Sequence, residues 1–190
     1  MVGVIDPVDA YQRAAAVFGE TIAALADDEW ERATGDDWTV VTTTAWVVVG
    51  DSQIARAVAG EPLTTVADFD AAVLGSQPVA TWRGTALAAI AALREPGALD
   101  RRVAHPDGTL AVADLVGQRV TENLVRAWDI GEAVGRRVEI PGDVADWCLD
   151  FWAGHAEAVL GGGVLPHAPL EPPVDADAAT RLLALTGRRS

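Results

Sequence analysis

The most informative stretch of the sequence runs from residue 122 to residue 129 and reads Glu122-Asn123-Leu124-Val125-Arg126-Ala127-Trp128-Asp129. It lies in a segment with helical spacing, from about Val112 to Val134. On a helix, Glu122, Arg126 and Asp129 stand at i, i+4 and i+7 and therefore share one face. Alternating charges of this kind indicate either a solvated face with ion pairs or a polar site inside a helix bundle.

Three further segments have apolar residues at spacings of three and four, and each predicts an amphipathic helix. The first begins at Asp6-Pro7 and ends near Asp27, the second begins at Gln77-Pro78, and the third spans Gly142 to Leu160. A hairpin is predicted from Arg101 to Val112, where Pro106-Asp107-Gly108 forms the turn. We also predict a short helix or ordered loop from Val66 to Leu74.

The segment from Trp38 to Val49 is ambiguous. Its many β-branched residues favour a strand, whereas its context favours the start of a long buried helix that runs to Ala59. Gly60-Glu61-Pro62 would end such a helix.

Together these elements predict an all-α protein, an antiparallel four-helix bundle with a small β-hairpin and short extra helices. We expect a single domain over residues 1–190. Within it, residues 164–190 are expected to form a Pro-rich connector and a short helix, Ala176 to Leu185, that pack on the bundle.

The composition excludes several classes of function. The net charge of −14 argues against binding to nucleic acids or to anionic membranes. All 14 basic residues are Arg, so Schiff-base chemistry on a lysine is excluded. We expect a small-molecule substrate as partner, and a monomer or homodimer.

The expected location is the cytoplasm, because the single cysteine, Cys148, allows no disulfide within the chain. No signal peptide is predicted from the first ten residues, and the most apolar stretch, Ala45 to Val49, is too short to span a bilayer. Cys148 lies among aromatic residues, which indicates a buried thiol rather than a nucleophile.

Familiar catalytic and metal-binding motifs are missing from the sequence. The three histidines, His105, His155 and His167, are widely separated, and no H-x3-H, HExxH or CxxC pattern occurs. There is no G-x-S-x-G pattern of a serine hydrolase. Seven tryptophans indicate core packing, and some of them are suited to line a pocket for a flat apolar ligand.

Three motifs together resemble one protein family: Trp38-Thr39-Val40, the run from Glu122 to Ile130, and the tail from Arg181 to Arg189. This is the actinobacterial DinB-like group related to the N-terminal domain of mycothiol-dependent maleylpyruvate isomerase. The resemblance covers nearly the whole chain. It implies a four-helix bundle with a divalent metal in its core, and a transferase or isomerase that uses mycothiol or a similar thiol.

The family's metal ligands do not carry over to this chain as a set. The first histidine position falls on Trp46, the glutamate position is Glu122, and the second histidine position falls on Arg126. One ligand of three remains, beside a cation that repels a divalent ion. We therefore predict that no metal is bound here and that no cofactor is used; a divalent metal and mycothiol are expected only if the family activity survives.

The resemblance also places residues 42–59 on a helix, with Trp46 pointing towards Glu122 and Arg126. The predicted catalytic residues are then Glu122, as a general base, and Arg126, which binds a carboxylate or polarises a carbonyl. The predicted substrate-binding residues are Trp46, Asp129, Thr42 and Trp128.

Three hypotheses for function remain open from the sequence. The first is a small-molecule enzyme or an engineered catalyst with a metal-free pocket for a flat apolar, carbonyl or carboxylate substrate. The unusual run Thr42-Thr43-Thr44 in a predicted helix makes engineering conceivable. The second is a non-catalytic module that binds a small molecule. The third is a metal-dependent thiol transferase, with the metal recruited by Glu122, Asp129 and a histidine such as His155.

Overall fold

A computed structural model of the protein describes residues 5–35, 37–64, 69–106, 108–155 and 168–189. Over these residues the chain is mostly helical, with six α-helices and two small antiparallel hairpins. The predicted helical character is thus confirmed, with one hairpin more than expected. Within the described ranges, no helix combines the length and the apolar character needed to cross a membrane.

The first helix, α1, spans Pro7–Ala23 and begins where the sequence predicted. Its buried face includes the large side chains of Tyr11, Phe18 and Ile22. The helix ends at Ala23 rather than near Asp27, because the chain there forms a separate 3-10 turn, Asp27–Glu29.

A short hairpin leads into the second helix and resolves the ambiguous segment. Strand β1 (Ala33–Gly35) pairs with β2 (Trp38–Thr39), and helix α2 then spans Val40–Val58. The helical prediction is therefore confirmed, and the strand reading holds only for Trp38 and Thr39. Strand propensity is a weak guide where tertiary packing opposes it.

The threonine run at the start of α2 is explained by local hydrogen bonds. Oγ1 of Thr39 accepts from the backbone N–H of Thr42 at 3.3 Å and caps the helix. The hydroxyls of Thr43 and Thr34 are 2.7 Å apart, and that of Thr44 donates to the carbonyl of Val40 at 2.8 Å. Each threonine thus has a partner, so the run needs no engineering to account for it.

Two more helices and the second hairpin complete this part of the chain. Helix α3 spans Pro78–Leu93, β3 (Arg102–His105) pairs with β4 (Gly108–Ala111) as predicted, and α4 spans Val112–Val134. The predicted helix or loop before α3 lies partly outside the described residues, and its end forms the 3-10 turn Ala71–Leu74. Helices α1 and α2 each contact both α3 and α4, and the apolar core lies among the four.

Contacts divide the chain into two compact units. One is Pro7–Val138, and the other comprises the described residues from Glu139 onward together with residues 5 and 6. The Pro-rich connector and short helix were predicted to begin at residue 164, whereas the contacts place the boundary between the units at Glu139. The expectation of a single domain stays a prediction.

In the second unit, helix α5 (Gly142–Ala153) packs against α6 (Ala178–Leu185). The predicted extension of α5 to Leu160 falls on residues outside the described ones. Helix α6 begins two positions later than Ala176, because Oδ1 of Asp177 accepts from the N–H of Thr180 at 2.8 Å and caps it there. Cys148 on α5 is buried, as predicted.

Candidate functional site

Helix α4 carries the charged residues of the opening stretch on a buried face. Arg126 is 7% exposed and Asp129 is 8% exposed. Arg126 Nε donates to Glu122 Oε2 at 3.0 Å, and Arg126 Nη1 donates to Asp129 Oδ2 at 3.0 Å. The face is thus ion-paired and turned inward, so the alternative of a solvated surface is wrong.

Trp46 on α2 reaches the same carboxylate. Its indole Nε1 donates to Glu122 Oε2 at 3.1 Å, so this oxygen accepts hydrogen bonds from both Trp46 and Arg126. The structure therefore brings together the three residues that the sequence placed at one site.

An aromatic cluster covers this ion pair. The guanidinium carbon of Arg126 lies 5.1 Å from the ring centroid of Trp38, which is cation–π geometry. The ring centroids of Trp38 and Trp46 are 5.3 Å apart. The ring centroid of Phe69 lies 5.6 Å from that of Trp38 and 5.7 Å from that of Trp46, and Phe69 makes an edge-to-face contact with each. We call this group the Arg126 cluster; its members are Trp38, Trp46, Phe69, Glu122, Arg126 and Asp129.

Electrostatics keep the guanidinium of Arg126 charged. Burial alone lowers its pKa, but the nearby carboxylates of Glu122 and Asp129 outweigh burial, so the pKa is raised above the ordinary value. The guanidinium is thus a permanent cation whose orientation is fixed by two carboxylates and one indole face. Its remaining nitrogen, Nη2, makes no hydrogen bond to the described residues.

Two residues predicted to bind substrate lie apart from these interactions. The hydroxyl of Thr42 is 3.1 Å from that of Thr39, at the start of α2. Trp128 is partly buried, and its side chain has no hydrogen bond or ring contact with the described part of the chain. Phe69, by contrast, was not singled out from the sequence, because nothing in its local pattern connects it with α2 or α4.

The metal set of the family that the sequence resembles does not fit these side chains. Trp46 and Arg126 present N–H donors where ligands would be needed, and both point at the one retained carboxylate. A guanidinium 3.0 Å from that carboxylate repels a divalent ion. Across the ranges that the structure describes, no three His, Cys, Asp or Glu side chains are grouped to hold a metal.

The histidine suggested as a recruited ligand has local contacts of its own. His155 belongs to the second unit, where its Nδ1 is 2.8 Å from the carbonyl oxygen of Phe151 and its ring lies 4.3 Å from the Phe151 ring. His105 is partly buried on β3. His167 lies outside the described residues.

A second polar group in the first unit was missed from the sequence. Asp51 on α2 is fully buried and accepts hydrogen bonds from Tyr11 OH at 3.0 Å and from Arg119 Nε at 2.8 Å. Asn123 Nδ2 donates to both carboxylate oxygens of Asp51, at 3.1 Å and 3.0 Å. We call these four residues the Asp51 cluster; they join α1, α2 and α4.

Gly50 makes room for this cluster. A Cβ at position 50 would overlap the guanidinium of Arg119, which lies against the backbone of α2. Arg119 lies on α4, and its partner Asp51 is 68 residues away in the chain. No spacing rule within a helix connects such positions.

The cluster also changes the acidity of the one tyrosine. Burial, followed by the charge of Asp51 and its hydrogen bond, raises the pKa of Tyr11 well above its ordinary value. Arg119 Nη2 and Asn123 Oδ1 are buried without a hydrogen-bond partner among the described residues. The Asp51 cluster is thus a tightly packed charged centre, separate in its hydrogen bonds from Trp46.

Comparison with known proteins gives relatives without an assigned activity. Two proteins of Mycobacterium tuberculosis, the uncharacterized proteins MT0763 and Rv0738, are each 28% identical to the chain. The alignment covers 97% of this chain and 98% of each relative. No protein-family model matches the chain, and no solved structure matches it.

Proposed function

We propose that the protein binds a flat small molecule through a carbonyl or carboxylate oxygen at the Arg126 cluster, without a metal, and acts on that molecule as an enzyme. One observation carries this proposal. Arg126 is held in place by two carboxylates and by the face of Trp38, while Nη2 makes no hydrogen bond to the described residues. A fixed, charged donor of this kind suits a planar oxygen acceptor.

The proposed scaffold is a DinB-like four-helix bundle. In support, α1 contacts α3 and α4, and α2 contacts the same two helices, so the four helices are neighbours in a closed ring. Bundles commonly build their sites from side chains on facing helices. Here α2 supplies Trp46 and α4 supplies Glu122, Arg126 and Asp129.

The charge of the site favours a neutral carbonyl over a carboxylate. Two carboxylates and one guanidinium give the Arg126 cluster a formal charge of −1 (+1 − 2). A carboxylate ligand would bring a third carboxylate beside Glu122 and Asp129 in a largely buried place, which is unfavourable. A ketone, aldehyde or quinone accepts the same hydrogen bond without that penalty, and its ring can contact the aromatic side chains.

Arg126 is also the group best placed for catalysis. A charge-assisted N–H aimed at a carbonyl oxygen stabilises the negative charge that develops there during enolisation, in which solvent water takes the α-proton as the C–H bond breaks. We propose this electrophilic role for Arg126, and a positioning role for Glu122, which orients the guanidinium. The binding needs neither a divalent metal nor mycothiol.

A non-catalytic binding module is the second candidate, and the hydrogen bonds of Glu122 favour it. The oxygen Oε2 accepts from both Trp46 and Arg126, so it must release a donor before it can take a proton. General-base catalysis at this oxygen of Glu122 is therefore hindered. A protein of this kind holds its ligand and releases it unchanged.

Tryptophan fluorescence titration with matched compounds tests the proposal. The panel contains naphthoquinone, acetophenone, benzoate and the uncharged alcohol 1-phenylethanol. We expect saturable binding in the order carbonyl, then carboxylate, then alcohol. Incubation with acetophenone in deuterium oxide then separates an enzyme from a binding module, because only the enzyme speeds the exchange of the α-hydrogens for deuterium.

The informative variant is the double change Arg126→Gln with Asp129→Asn, which removes one positive and one negative charge together. We expect about a tenfold or greater loss of affinity for the carbonyl compounds, since a hydrogen bond from a charged donor contributes about 1.5–3 kcal/mol. The matched control is Arg136→Gln with Glu29→Gln, which removes the more exposed ion pair of the same unit. Equal affinity in the wild type, the double variant and the control would overturn the proposal.

A further inference from the structure

The Asp51 cluster contains one donor and one acceptor that its own members do not satisfy. Arg119 Nη2 and Asn123 Oδ1 are both buried, and neither has a hydrogen-bond partner among the described residues. The residues that carry them are 5% and 0% exposed. Burying such groups removes their hydrogen bonds to solvent without replacing them, and native proteins rarely leave buried polar groups in this state. The two atoms therefore point to a further binding partner in the core of the first unit.

The orientation of the Asn123 side-chain amide is fixed by its neighbours. Nδ2 lies 3.1 Å and 3.0 Å from the two carboxylate oxygens of Asp51, and 2.9 Å from the carbonyl oxygen of Arg119. If the amide were turned over, its oxygen would face these three acceptors, which is unfavourable. The oxygen of the amide is therefore the atom that needs a donor.

The guanidinium of Arg119 is anchored to the same carboxylate oxygen as the amide. Arg119 Nε donates to Asp51 Oδ1 at 2.8 Å, and this oxygen also accepts from Asn123 Nδ2. In the guanidinium, Nη2 shares its carbon atom with Nε, and in the amide, the oxygen shares its carbon atom with Nδ2. Both unsatisfied atoms are thus held near Asp51, but they make no hydrogen bond with each other. A group that accepts from Nη2 and donates to the amide oxygen would satisfy both.

We propose that the Asp51 cluster binds one buried water molecule, which accepts a hydrogen bond from Arg119 Nη2 and donates one to Asn123 Oδ1. A hydroxyl group can do both, whereas an anion without a proton cannot donate to the amide, and a cation is repelled by the guanidinium. Water is favoured over a larger hydroxyl compound because Tyr11, Asp51 and Asn123 are fully buried. Buried waters in globular proteins make about two to four hydrogen bonds to groups that are otherwise unsatisfied. This site is independent of the function proposed for the Arg126 cluster.

A high-resolution crystal structure of the wild-type protein tests the proposal directly. We expect electron density for one water whose oxygen lies about 2.7–3.2 Å from both Arg119 Nη2 and Asn123 Oδ1. Ordered side chains with no water between them, or a direct hydrogen bond from Nη2 to the amide oxygen, would overturn the proposal. This experiment needs no variant, so it remains decisive even if a substitution in the cluster prevents folding.

Oxygen-17 magnetic relaxation dispersion, which counts long-lived internal waters, tests the same site in solution. Asn123→Leu keeps the branched shape of the side chain and removes the acceptor, so we expect one long-lived water fewer than in the wild type. The control is Thr44→Val, a similar polar-to-apolar change at a fully buried position. The hydroxyl of Thr44 bonds to the carbonyl of Val40 within its own helix, so the number of waters should not change. Equal numbers in the wild type and Asn123→Leu, or an equal loss in both variants, would contradict the proposal.

Discussion

Replacing both Trp46 and Arg126 by histidine is expected to turn the Arg126 cluster into a zinc site. In the present chain, Trp46 Nε1 and Arg126 Nε lie 3.1 and 3.0 Å from the same oxygen of Glu122. Ligand atoms in a tetrahedral zinc site with bonds of about 2.0 Å stand about 3.3 Å apart. Imidazoles at positions 46 and 126 would therefore approach Glu122 closely enough to share one ion with it.

The expected energies follow from the buried ion pairs. Removing Arg126 takes away the cation between Glu122 and Asp129, which are 14% and 8% exposed in their side chains. Removing one partner of a buried ion pair lowers the free energy of unfolding by about 3–5 kcal/mol. Free zinc at about a hundred times its dissociation constant raises the free energy of unfolding by about 2.7 kcal/mol. The double variant should thus be markedly less stable than the wild type without zinc and recover about half or more of the loss with it.

Denaturant unfolding with and without zinc, together with elemental analysis, measures both effects. We expect about one equivalent of zinc in the double variant and less than about a tenth in the wild type. The control is Trp46→His alone, which keeps the positive charge of Arg126 beside Glu122 and should gain no stability from zinc. A double variant at positions 46 and 126 that retains no zinc would refute the reasoning that these side chains converge on Glu122.

Three predictions concern the Asp51 cluster. Asp51→Asn removes the anion facing the buried Arg119, 2.8 Å away, and is expected to lower the free energy of unfolding by about 3–5 kcal/mol in urea; a loss below about 1 kcal/mol would contradict this. The raised pKa of Tyr11 means that the folded state holds the phenolic proton more tightly than the unfolded chain. The stabilisation that the protonated Tyr11 gives to the folded state is thus present below about pH 10, and it is lost as the pH rises through the pKa of Tyr11 in the folded protein. Tyr11→Phe should lack this alkaline loss, and because Tyr11 is the only tyrosine, tyrosinate absorbance reports its ionisation alone; the same pH profile in both proteins would be inconsistent with the shift. Gly50→Ala favours the helix by about 1 kcal/mol through its intrinsic propensity. The new Cβ would, however, overlap the guanidinium of Arg119, so the free energy of unfolding should fall by about 1–3 kcal/mol overall. A higher melting temperature would disprove the close approach of Arg119 to Gly50.

The helices were predictable because their signals are local. The spacing of apolar residues and the pair Asp6-Pro7 place α1, and the same reasoning places α3 and α4. The start of α2 was harder, since β-branched residues dominate there. Its hydroxyls bond to the helix backbone and to neighbouring threonines, which a propensity scale does not include.

The Arg126 cluster was predictable only in part. Glu122, Arg126 and Asp129 share a helical face by spacing, but spacing does not tell whether that face is solvated or buried. The position of Trp46 came from a family resemblance, and its hydrogen bond to Glu122 matches that expectation. Phe69 was missed because its partners, Trp38 and Trp46, are connected to it only through tertiary packing.

The Asp51 cluster shows why the remaining contacts were out of reach. Tyr11 and Asp51 are 40 residues apart, and Asp51 and Arg119 are 68 apart. Each residue read alone fits an ordinary role, a core tyrosine or a surface ion pair. Only the packing of three helices reveals that their polar groups meet in the core.

A crystal structure of the protein with the tightest-binding carbonyl compound of the panel shows whether Arg126 binds the carbonyl oxygen. We expect this oxygen to lie about 2.7–3.2 Å from Nη2 of Arg126. We also expect the ring to contact Trp38 or Trp46, while the bonds from Arg126 to Glu122 and Asp129 are kept. A ligand bound elsewhere, or one whose oxygen faces no nitrogen of Arg126, would contradict the proposed binding mode.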